Sequence, residues 1–206
     1  MLNMNRYLKG LLIAVMVGAS VALAACSSDD EAVGTGTLAV RLTDLSTTAP
    51  GLSTLLGGEL HVTGVEAITL IFSRVEVHVS ASAGDNDAGW FEVMDSNVPV
   101  AERTFDLLEV ADGNFEVLGL TTLAAGNYQQ VRIVIEDATI TINAETSPLS
   151  ISSGAQTGLK LNHNFSVVDG QETILTLDFD AEQSVNEQPS GSGNYSIDPV
   201  ISILQS

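Results

Sequence analysis

From residue 36 to the C-terminus the apolar residues of this chain recur at every second position, and no long stretch keeps a helical spacing. Leu38, Val40 and Leu42 alternate with Thr37, Ala39, Arg41 and Thr43. A strand half-buried on one face produces this period, whereas a helix repeats every 3.6 residues. Ile68, Leu70 and Phe72 keep one parity, and Val75, Val77 and Val79 take the other. Val131, Ile133 and Ile135 give way in the same manner to Ala138, Ile140 and Ile142. A slip of one residue exchanges the two faces of a strand. The switches at Ser73-Arg74 and Glu136-Asp137 therefore require a bulge or a passage from one sheet to another.

Further strands are expected at Trp90–Val93, Thr104–Leu108, Phe115–Leu118, Pro148–Ser152, Gly158–Asn162, Thr173–Phe179 and Tyr195–Leu204. Asp112-Gly113-Asn114, Gly126-Asn127 and Asp169-Gly170 supply turns between them, and residues 45–58 read as a loop with Pro50 and three glycines. A short helix fits only Asp106–Val110 or Ala181–Val185. Many short strands with these spacings predict an all-β, antiparallel β-sandwich, a single domain over residues 36–206. A domain of that size buries roughly 70 % of its unfolded surface.

The N-terminus reads as an address. Arg6 and Lys9 precede the apolar run Leu11–Val17, and small residues continue to Ala25. A basic start, a short apolar stretch and small residues before a cleavage point describe a secretory signal, here residues 1–25. The run is short for a spanning helix, which needs roughly 20 apolar residues. Leu23-Ala24-Ala25-Cys26 resembles a bacterial lipobox, and Cys26 is the single cysteine of the chain. The resemblance implies lipidation of Cys26, and several acyl chains on one residue anchor stably in a membrane. Ser27 follows it, and among such lipoproteins a residue other than Asp there implies the outer membrane of the cell envelope. Residues 26–35 are small and acidic, as a flexible tether would be.

Seven Lys and Arg stand against 26 Asp and Glu, a net charge of −19, and loss of the signal with its two cations makes the mature chain more acidic still. This excludes nucleic acid as a partner, because phosphate binding needs a basic face. One cysteine builds neither an intramolecular disulfide nor a thiolate zinc site.

The acids supply the candidate chemistry. Asp178 and Asp180 share the outward parity of one strand, at roughly 7 Å from a rise of about 3.3 Å per residue. Asp85 and Asp87 lie in Gly84-Asp85-Asn86-Asp87-Ala88-Gly89, which resembles the opening of a calcium loop but lacks its distal glutamate. Two readings of these four residues stay open: a hard cation such as calcium, or solvated turns and cross-strand ion pairs. If Asp169-Gly170-Gln171 closes a hairpin, Leu161 faces Phe179 and Lys160 faces Asp180. His61 and His78 have outward parity and His163 inward, with no zinc or triad motif. Trp90, the one tryptophan, is a candidate for stacking on a sugar ring or for filling core.

Gly36–Asp44, Val75–His78, Trp90, Asp106–Leu108, Leu123–Tyr128, Ser153–Leu161, Leu177–Asp180, Tyr195 and Pro199–Ile201 form an ordered set. Together they resemble the uncharacterised bacterial domain-of-unknown-function family numbered 4382, found in many lipoproteins. The resemblance implies a prealbumin-like or immunoglobulin-like sandwich and no established activity. It departs after Asp44, where the family commonly has Asp-Ala-Pro and this chain has Leu45-Ser46. The expected function is a lipid-anchored, non-catalytic binding or structural module with calcium, a glycan or an envelope protein as partner. The alternative is an envelope hydrolase using an acidic pair such as Asp178 and Asp180.

Overall fold

The computed structural model describes residues 33–45, 64–111, 113–188 and 192–205. The signal, Cys26, most of the tether, His61 and most of the 45–58 loop lie outside the described residues. Residues 33–206 form one compact unit.

A four-stranded sheet runs in the order β12-β9-β1-β5, from Ile201–Gln205 (β12), Glu172–Phe179 (β9), Thr35–Thr43 (β1) and Glu116–Ala124 (β5). The larger sheet is built on two long strands, Val65–His78 (β2) and Gly126–Ile142 (β6). Beyond the switch point each exchanges its outer neighbour. On β2, Thr104–Asp106 (β4) pairs one half and Phe91–Met94 (β3) the other. On β6, Leu159–Val167 (β8) pairs the first half and Glu145–Ile151 (β7) the second. Tyr195–Ile197 (β11) and Val185–Glu187 (β10) complete that side. The fold is an all-β sandwich. Its ladders are antiparallel except where β9 meets β1 and β11 meets β7, which are parallel.

The two parity switches are one device. In the β2–β6 ladder Ile71 faces Asp137, Phe72 faces Ile135 and Arg74 faces Val134, so the register passes over Ser73 and Glu136. The two irregularities offset each other in register while turning both strands over together. Ile68, Leu70 and Phe72 before the switch, and Val75 and Val77 after it, therefore enter the same core. Arg103, buried, holds the spot: its Nη1 donates to the Phe72 carbonyl at 3.0 Å and to the Glu136 carboxylate. Across the sandwich the core is completed by Leu38, Val40 and Leu42 of β1 and by Leu175, Leu177 and Phe179 of β9.

Three sequence expectations are corrected. β8 and β9 do not form a hairpin ladder: β8 pairs β6 in the large sheet, and β9 pairs β1 and β12 in the small one. Lys160 thus stands opposite Arg132, and Phe179 opposite Ile201. Alternation says only that both strands have one apolar face, and a corner between sheets satisfies this as well as a hairpin does. The corner is fastened to β1, with Gly170 N donating to Thr35 O at 2.9 Å and Thr37 N to Gln171 O at 2.9 Å. Tyr195–Leu204 is two strands in different sheets, broken where Pro199 has no N–H to donate. Of the two helix positions, Ala181–Ser184 (α2) is helical, residues 107–110 are a turn, and Ser153–Thr157 (α1) is an added short helix.

Candidate functional site

A polar cluster lies under the connection between β2 and β3, residues 79–90. Past the bulge, alternation turns Glu76 and His78 of β2, and Gln130 and Arg132 of β6, away from the main core. The connection folds back over them, and all four are buried. Burying charge on a sheet face is costly unless each group is paired. Here the ladder register sets Glu76 opposite Arg132. The Arg132 Nε donates to Glu76 Oε2 at 2.7 Å, and its Nη2 lies 2.6 Å from the same oxygen. Nη1 donates to the carbonyl of Asp85 at 2.9 Å. The guanidinium carbon lies 4.1 Å from the centre of the Trp90 ring.

The connection is bound back at several further points. Trp90 Nε1 donates to Gly84 O at 3.0 Å, and its ring lies 5.1 Å from that of His78. His78 Nε2 is 3.1 Å from Ala88 O, and His78 Nδ1 accepts from Ser80 N at 2.8 Å. Gln130 Nε2 donates to Ala81 O at 2.7 Å, and Lys160 Nζ to Ala83 O at 3.0 Å.

The residues singled out from sequence fall in three places. Asp85 forms an ion pair with Lys160 at 2.6 Å. The Lys160 ammonium, by hydrogen bond first and by charge second, holds the Asp85 carboxyl below its ordinary value. Asp87 Oδ2 accepts from Gly84 N at 2.8 Å, closing the turn. Trp90 is half-buried between Arg132 and His78. On the other sheet, Asp178 Oδ1 accepts from Leu45 N at 2.8 Å and Oδ2 from Ser202 Oγ at 3.4 Å. Asp180 caps α2, accepting from Gln183 N at 2.9 Å. Asp85 and Asp87 thus share a loop on the large sheet, and Asp178 and Asp180 share a strand end of the small one. Among the described residues no group of three or more His, Cys, Asp or Glu side chains is arranged to hold a metal ion. A cation at Asp85 would have to displace the Lys160 ammonium.

Sequence reasoning did not find Glu76 with Arg132. The available signal was an arginine between Val131 and Ile133 in mid-strand, together with an acid between Val75 and Val77. Their pairing is visible only once β2 and β6 are known to be neighbours.

Fold and site together define an all-β sandwich domain whose larger sheet carries a loop-covered, internally paired ionic cluster. The chain belongs to the family described as Domain of unknown function (DUF4382), whose model matches residues 35–199. No curated protein matches the chain. Among solved structures, a leucine-rich repeat protein from Bacteroides thetaiotaomicron is similar at 16 % identity over 74 % of this chain, with a TM-score of 0.28. The chain spans 15 % of that protein's structure, and similarity at this level carries no argument about fold or function.

Proposed function

We propose that this is a lipid-anchored protein of the bacterial envelope whose sandwich is a non-catalytic binding or structural module. One observation carries the module reading: the four candidate acids, Asp85, Asp87, Asp178 and Asp180, are each engaged by partners of the domain itself. A carboxylate that holds a turn, a cap or a lysine is a structural group. The outer face of the small sheet favours binding, because Phe115, Val117 and Leu120 stand there 52 %, 51 % and 47 % exposed. Arg41, the cation on β1 beside them, stacks over Phe115 at 4.3 Å. Its Nε is buried and makes no hydrogen bond among the described residues.

The anchor rests on the lipobox-like Leu23–Cys26, and the outer-membrane address on Ser27. Cys26→Ser is expected to move the protein out of the membrane fraction and to abolish incorporation of labelled palmitate. Retention of both would remove the anchor from the reading. For the module, melting curves with calcium and then chelator are expected to coincide at matched ionic strength. A rise of several degrees with calcium would instead give the acids to a cation. Glycan arrays and pull-downs with the domain test binding, and consistently empty screens would leave a structural role alone.

A further inference from the structure

We propose that β12 is a pairing edge at which two copies of this chain join antiparallel, turning two four-stranded sheets into one of eight strands. The inference is independent of the anchor and of any ligand.

The two edges of the small sheet are built differently. At β5 the neighbouring β3 closes the side: a Cβ on Gly119 would run into the carbonyl oxygen of Val93. At β12 the ladder to β9 uses one side only, and among the described residues no strand pairs with the other. An unpaired edge offers a row of backbone N–H and C=O groups to another strand. Proteins normally blunt such edges with charge, proline or a bulge. The strand reads Ile201-Ser202-Ile203-Leu204-Gln205, with no charge and no proline, and its register to β9 is regular.

The core is also unfinished there. Ile201 and Ile203 point inward yet remain half-buried, while their ladder partners Phe179 and Leu177 are fully buried. Gln205 shares an open groove of about 310 Å³ with Tyr128 and Gln129 of β6 and Asn164 and Phe165 of β8, the strand that flanks this edge without pairing to it. Apolar area left open at an edge is covered by a strand that brings its own inward apolar residues. A second β12 does so. Paired about Ile203, it sets Ile203 against Ile203 on the inner side and Ser202 against Leu204 on the outer side.

In a chain of net charge −19, an uncharged edge strand lets two copies approach with little repulsion at the joint. The one acid in ladder register with the strand is Asp178 of β9, opposite Ser202, and the exposed Asp198 precedes the strand by three residues. In the pair, β9 and its copy stand three strand spacings apart, about 14 Å at about 4.8 Å each. That exceeds the Debye length of roughly 8 Å at physiological ionic strength. A closed two-fold pair also consumes both edges, so it ends at two copies.

The described residues bury a continuous core of their own, so the domain of residues 33–206 is the material for the test. Sedimentation equilibrium across a concentration series is expected to show a reversible dimer. S202K/L204K puts lysines face to face at the joint and is expected to give a monomer with an unchanged melting temperature at low concentration. Thr122→Lys on the opposite edge is expected to leave the dimer intact. A domain that stays monomeric into the millimolar range overturns the proposal. So does a dimer that survives S202K/L204K, or one that Thr122→Lys dissociates.

Discussion

Removing the Arg132 side chain is expected to cost this domain a large part of its stability. Arg132 and Glu76 are each 5 % exposed at the side chain and in contact at 2.6 Å. Arg132→Met keeps most of the packing volume but deletes the ion pair, the hydrogen bond to Asp85 O and the stacking on Trp90. The acid left behind has Arg74 as its other cationic neighbour, at 3.9 Å and about half in solvent. Breaking a buried pair from one side costs about 3–5 kcal/mol, because a charge stays buried without its partner. For a domain of this size that is roughly 6–20 °C in melting temperature, at about 2–4 °C per kcal/mol. Replacing both residues with apolar ones, E76L/R132M, removes the stranded charge and is expected to return to within about 2 kcal/mol of the parent. Urea unfolding of the parent, the two single variants and the double variant closes the cycle. The single tryptophan reports on the covering connection during the same titration. A loss below about 1 kcal/mol for Arg132→Met would refute the reasoning. So would a double variant no better than the single.

Other outcomes follow from the same geometry. The Asp85 carboxyl is held below its ordinary value by Lys160, so its contribution is present above that value and is lost as pH falls through the lowered one. Urea midpoints of the parent and Asp85→Asn are therefore expected to differ at neutral pH and to converge below about pH 4. Gly119→Ala forces a Cβ against the Val93 carbonyl and is expected to destabilise by about 1–3 kcal/mol in the same assay. Asp180→Ala removes the α2 cap, for a loss of about 1 kcal/mol that Asp180→Asn largely avoids, both read as shifts in urea midpoint.

Period-two alternation was enough to read the all-β class, the faces of β1 and β9 and the places where β2 and β6 turn over. This is because side-chain direction along a strand is a local property of the backbone. The acidity was legible for a simpler reason, being a matter of composition. The partners of those strands were not legible. Lys160 was expected opposite Asp180 and stands opposite Arg132, bound to Asp85. Trp90 and Asp85 were marked, but the guanidinium they enclose was not. Ladder partners such as Glu76 and Arg132 lie 56 positions apart, and an alternating strand accepts any neighbour whose apolar face also turns inward. Tertiary structure made that choice, packing the apolar faces into one core and setting the buried Arg132 against Glu76. Through it the acids became fasteners of a loop, a turn and a cap, and among the described residues β12 was left pairing on one side only.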